Sequence, residues 1–118
     1  MIKLIKEENE YNNKELTYSG YGYETKISIY STSVSASKYL SIDTKCEYKE
    51  HYPYPAIKYN QINNQLEGVF NSFFSLTENN KEEWVKAIEN AHKFIKEMNE
   101  IIRELIKTEE IEIFSFSN

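Results

Sequence analysis

The chain is poor in the residues from which reactive sites are usually built. Its 118 residues include one cysteine (Cys46), one arginine (Arg103), one aspartate (Asp43) and two histidines, His51 and His92. A lone cysteine excludes an internal disulfide and makes a reducing compartment the simpler expectation. No glycine-rich phosphate loop, nucleophile elbow or zinc spacing occurs. His51 near Glu47 and Glu50 comes closest to a metal pair, but no third ligand can be named. His92 falls at the edge of an apolar stripe, and Cys46 on the apolar face of a strand, where each is expected to be structural. The expectation is a protein that is not an enzyme and has no cofactor and no metal.

Other absences narrow the class further. No apolar run approaches the ~20 residues that span a bilayer. Lys3 and Lys6 interrupt the N-terminus too early for a signal peptide. A cytoplasmic location is therefore expected. The formal net charge is −5, without the basic stripe that displaces counterions from a phosphate backbone, so direct nucleic-acid binding is not expected. The acidic surplus is one-sided. Residues 1–59 hold eight lysines against eight acids, and residues 60–118 hold six cations against eleven glutamates. The scarcity of Arg and Asp beside Lys, Glu, Asn and Ile follows an A/T-rich codon bias.

What is present divides by aromatic type. All ten tyrosines lie between Tyr11 and Tyr59, whereas the six phenylalanines and Trp84 lie between Phe70 and Phe116. The tyrosine half reads as strand. Residues 1–6 alternate loosely, and Glu7–Glu15 is polar enough to be a loop. Gly20 and Gly22 at alternate positions suggest a bulge or close approach by another backbone or ring. Tyr21, Tyr23, Thr25, Ile27 and Ile29 share one face at period two. Leu40, Ile42, Thr44, Cys46 and Tyr48 repeat the pattern, and the two runs make a hairpin across the serine-rich 31–37. Pro53 and Pro55 mark an extended linker before a short strand at 56–59. Ile62–Leu76 fits either a helix or a strand, with strand favoured over 67–76.

The phenylalanine half reads chiefly as one helix. Asn80 and Glu83 have capping-box spacing. Trp84, Ile88, Ala91, Ile95, Met98, Ile102 and Leu105 recur at helical period, flanked by Val85, Phe94 and Ile101, and predict a helix over about 80–107. Its polar face carries Glu82, Lys86, Glu89, Lys93, Glu97, Glu100 and Glu104. Ile111–Phe116 suggests a final strand. Such a helix spans ~40 Å at ~1.5 Å per residue, about the width of the whole domain. Its apolar C-terminal half could be covered by the terminal strand or by a second copy in a homodimer, or the helix could lie along one face of a sheet.

The fold expected is a single α+β domain over 1–118. It has an antiparallel sheet of about five strands, one long helix on one face and a short strand after it. Trp84, Ile88, Ala91, Ile95, Met98 and Ile102 should meet Ile27, Ile29, Leu40, Ile42, Phe70 and Phe74 in the core.

Phe74-Ser75-Leu76-Thr77, followed by Glu82-Glu83-Trp84-Val85-Lys86-Ala87-Ile88, resembles the last strand and C-terminal helix of pleckstrin-homology domains. The resemblance covers roughly fifteen residues and implies that the helix Trp packs into the end of the sheet. It also implies, as an alternative function, a small-ligand or lipid-headgroup module. No ligand residue of that family has a counterpart here, and no basic first hairpin is present.

The principal expectation is a non-catalytic inhibitor or adaptor that binds another protein. Two surfaces are candidates. Tyr18, Tyr30, Tyr39, Tyr52, Tyr54 and Tyr59 offer large, stiff contact area with polar tips, though tyrosines equally cap small cores. Glu97, Glu100 and Glu104 offer an acidic face. Small proteins of this style occur in mobile elements, including phage anti-CRISPR proteins, where they occlude a nuclease or imitate DNA. A nucleic-acid-processing complex is therefore one expected partner.

Overall fold

A computed structural model describes residues 1–31, 37–46, 55–69 and 81–112, apart from the side chains of Lys81 and Trp84. It is a mixed α+β fold in which the strands precede the helix. Strands β1 (Lys3–Glu10), β2 (Asn13–Gly20), β3 (Tyr23–Ser31) and β4 (Lys38–Cys46) form an antiparallel meander in the order β1-β2-β3-β4. Strands β5 (Ala56–Asn60) and β6 (Gln65–Val69) form a separate hairpin, and α1 spans Lys81–Thr108. The described residues thus hold six strands in two sheets, where about five in one sheet were expected.

The extra strand comes from Glu7–Glu15, which is not a loop. β1 continues to Glu10, turns through Tyr11-Asn12, and β2 starts at Asn13. The segment reads as loop because it is polar, and it is polar because β1 is an edge. All eight β1 residues are exposed. Its charges, and a register shift between Leu4 and Lys6, are devices that discourage edge-to-edge pairing. Nor is Tyr21-Gly22 inside a strand. It is the two-residue turn between β2 and β3, with φ of 53° and 83°. Two positive values are the type I′ geometry that matches strand twist. Gly20 does meet the close approach expected of it. A Cβ there would lie 3.0 Å from Ile2 Cα and from the Met1 carbonyl oxygen.

Period two holds through β3, where Tyr23, Thr25, Ile27 and Ile29 are all buried. Their register partners Leu40, Ile42, Thr44 and Cys46 occupy the same face of β4 and are half-buried. β6 covers Gln65–Val69, so the described residues 67–69 of the expected 67–76 strand are strand. Ile62, however, lies exposed in the β5–β6 turn. The expected 70–76 continuation lies outside the described residues, as do Asn80, Tyr48, the proline segment 51–54 and residues 113–116 of the expected final strand. Of that strand, Ile111 makes one parallel bridge to Lys38.

The helix buries a stripe rotated slightly from the expected one. Ala87, Ala91, Phe94, Met98 and Ile102 are buried, whereas Ile88 and Ile95 are half-buried flanks and Val85 is exposed. Phe94 takes the centre because its ring packs on Tyr23, centroids 5.2 Å apart. One apolar cluster joins Leu16, Ile27 and Ile29 of the meander, Ile57 and Leu66 of the hairpin, and the helix stripe. The C-terminal half of the helix is covered within the same chain: Ile102 is fully buried, and Leu105 and Ile106 pack partly against the core.

α1 ends in a Schellman-type turn. Ile111 N–H donates to Ile106 O (3.0 Å) and Glu110 N–H to Lys107 O (3.4 Å), with Glu110 at φ 53°. Glycine is the usual residue at that left-handed position. The turn drives Ile111 into the core and sends Glu112 N–H to Lys38 O at 2.8 Å.

Candidate functional site

Two clamps and one side-chain bridge set the helix against the strands. At one end of the meander, Glu97 accepts from the Tyr21 hydroxyl and from Ile2 N–H. The Tyr21 bond, helped by Ile2 N–H, holds the Glu97 carboxyl below the usual carboxylate range. At the other end, Glu109 bridges Lys14 (3.0 Å) and Lys38 (3.3 Å). The Lys14 hydrogen bond is the main reason that its carboxyl is also held low. The bridge is Asn99, whose Oδ1 accepts from Leu66 N–H (2.7 Å) while its Nδ2 donates to Leu66 O (3.2 Å). It satisfies the edge of β6 as another strand would. Asn99 carried no signal in the sequence beyond being polar near an apolar stripe.

These contacts redistribute the residues expected to bind. Glu97 is half-buried and engaged with the fold, while Glu100 and Glu104 remain exposed with Arg103 between them. Tyr18 sits on β2, not on the strand that carries Tyr30. It opposes Thr25 on the inward face, and burial pushes its phenol pKa up. Tyr52 and Tyr54 lie outside the described residues.

Tyr30, Tyr39 and Tyr59, by contrast, come together. Tyr30 and Tyr39 are register partners across β3 and β4, with ring centroids 5.9 Å apart. Tyr59 reaches the same place from β5, its hydroxyl donating to Asn64 Oδ1 at 3.0 Å. Asn64 holds φ 58° at the end of the β5–β6 turn, a left-handed position that asparagine tolerates. The three tyrosines line a cavity of about 210 Å³ with Leu40, Gln61, Asn64, Ile111 and Glu112. Tyr30 is 39% exposed and opens the cavity to solvent.

A second, wider groove of about 650 Å³ runs between β4 and β5, past Asp43, Lys45, Cys46 and Lys58. Both walls are strand edges, and its lining mixes both charge signs. Among the described residues no three His, Cys, Asp or Glu side chains converge as a metal site. The His51, Glu47 and Glu50 candidates lie outside them. No helix among the described residues is long and apolar enough to cross a membrane.

Set against protein-family models, curated proteins and solved structures, the chain matches none. What it can do must be argued from the sites themselves. Among the described lining, the Tyr30–Tyr39–Tyr59 cavity offers three phenols, the Gln61 and Asn64 amides and the Glu112 carboxylate as polar groups.

Proposed function

We propose that this chain is a non-catalytic protein-binding module, an inhibitor or adaptor, that meets its partner through the tyrosine surface at the β4 edge. The observation that carries the reading is the convergence of Tyr30, Tyr39 and Tyr59 on one solvent-open cavity. Residues from three strands, separate in sequence, supply stiff aromatic area there, the kind of surface that dominates interface energetics. The acidic helix face supports the reading less well, because Glu97 is committed to Tyr21 and Ile2. In its specific form, the partner is a nucleic-acid-processing complex that the module occludes.

The test is affinity capture from the native host with three baits: the parent chain, a Tyr30→Ala/Tyr39→Ala variant and a Glu100→Lys/Glu104→Lys variant. Circular dichroism establishes that each is folded. A protein enriched on the parent and on the glutamate variant, but lost from the tyrosine variant, is the expected result. Loss from the glutamate variant alone moves the interface to the helix. No enriched protein on any folded bait refutes the binding reading.

A further inference from the structure

We infer that the Tyr30–Tyr39–Tyr59 cavity is a socket for one arginine side chain of the partner, its guanidinium held on the tyrosine rings and paired with Glu112. The inference rests on the protein-binding reading above and names what that surface recognises. Size is the first consideration. About 210 Å³ is below the roughly 300–1,000 Å³ of cofactor and small-molecule pockets and suits a single long side chain.

Charge is the second. Glu112 is the one charged residue among the described lining, and no ion pair to it is found among the described residues. The nearby Lys38 ammonium is taken by Glu109. Among the described lining, an anion would meet a carboxylate and no cation, so phosphate and carboxylate ligands are disfavoured. A cation would meet a carboxylate and the negative faces of tyrosine rings.

Chemistry separates arginine from lysine. A planar guanidinium can stack on a ring while its N–H groups reach a carboxylate in a fork, and its weaker hydration lowers the cost of entry. An ammonium offers no such plane. Apolar lining is supplied by Ile111, which is buried, and Leu40, which is half-buried, and it suits the methylene stem of arginine. The wall geometry is set by the fold. Cross-strand register pairs Tyr30 with Tyr39, and the Schellman turn delivers Glu112 to Lys38.

The experiment titrates N-acetyl-arginine amide into the isotope-labelled full chain and follows the Tyr30, Tyr39 and Glu112 signals by NMR. The neutral isostere N-acetyl-citrulline amide, N-acetyl-lysine amide and N-acetyl-leucine amide run in parallel. Saturable shifts at these residues are expected for arginine, with a Kd on the order of millimolar for one side chain. Citrulline should bind roughly 10-fold more weakly, and Glu112→Gln or Tyr39→Leu should each weaken arginine by about 3- to 30-fold. Because Glu112 is exposed, its variant keeps the fold. Equal binding of citrulline, preference for leucine, parity of lysine, or no saturable shift would each overturn the arginine socket. If the tyrosine variant loses its captured partner while arginine fails to bind, the protein-binding reading stands and the socket falls. If arginine binds but capture ignores the tyrosines, the partner docks elsewhere, and the tyrosine interface and its role as a socket for the partner's arginine both fall.

Discussion

Replacing Asn99 with alanine should separate the helix from the β5–β6 hairpin energetically. Both bonds to Leu66 vanish together, and Leu66 is 1% exposed, so its N–H and C=O have little access to solvent. A stranded buried polar group costs about 1–3 kcal/mol, and there are two; the half-buried position of Asn99 lets some water reach them, so about 2 kcal/mol is expected in total. For a chain of this size that corresponds to a fall in Tm of roughly 8 °C. Thermal denaturation followed by circular dichroism reads the shift, and native-state hydrogen exchange should show the Leu66 amide losing protection first. Lys93→Ala, on the exposed helix face, is the control and should stay within about 0.5 kcal/mol of the parent. Asn99→Asp refines the test. Its carboxylate can still accept from Leu66 N–H but opposes Leu66 O, and only the protonated form can donate. Folding therefore favours the proton, raises the folded-state pKa, and makes this variant less stable as pH rises through the carboxylate range. A Tm for Asn99→Ala within about 2 °C of the parent would show that the hairpin is held by apolar burial alone and refute the reasoning.

Tyr23→Phe removes the hydroxyl that donates to Pro55 O at 2.6 Å in the core and should cost about 1–2 kcal/mol in urea unfolding, with an unchanged m-value. Glu110→Gly relieves the positive φ in the helix-terminating turn and should raise Tm, gaining about 0.5–1 kcal/mol; a lower Tm would mean that the Glu110 side chain matters more than its backbone. Glu97 and Glu109 are both held below their ordinary pKa, by the Tyr21 and Lys14 hydrogen bonds respectively. Their contribution is complete above the unfolded carboxylate pKa and is lost as pH falls through the folded values. Glu109→Gln should accordingly flatten the acid limb of the stability–pH curve, and an unchanged limb would count against the clamp. Gly20→Ala pushes a Cβ against Ile2 and Met1 and should cost about 1–2 kcal/mol, with exchange protection at Ile2 N–H falling most.

Elements governed by a strong period were legible in the sequence. The β3 and β4 faces and the extent of α1 follow from alternation and helical spacing, and the β3–β4 hairpin pairs as expected. Polar composition misled at β1, because an edge strand exposed on both faces carries no apolar period. The turn at Tyr21-Gly22 was hidden because Tyr21 falls into the odd-numbered run of β3; the two-residue hairpin in fact inverts parity, so that Leu16 and Tyr18 share a face with Ile27 and Thr25. The tyrosine surface was half legible. Tyr30, Tyr39 and Tyr59 are distant in sequence, and only strand register and the β5–β6 turn bring them together. Tyr18 was expected with them but lies before the Tyr21-Gly22 turn, on β2, and faces inward opposite Thr25. Glu97 read as solvent-facing because its partners, Tyr21 and Ile2, lie more than seventy residues away.

That separation also bears on the order in which the molecule assembles. β1 to β4 form a meander of neighbouring hairpins, two of them with two-residue turns, and such pairing closes short loops at small entropic cost. The helix is tied to the meander by hydrogen bonds spanning 76 and 95 residues, which cannot form until Glu97 has been made. We expect the meander to emerge first and to stay open on its inner face, Ile27 and Ile29 waiting for a helix that follows them in the chain. Pulse-labelled exchange that protected α1 before β3 would reverse that order.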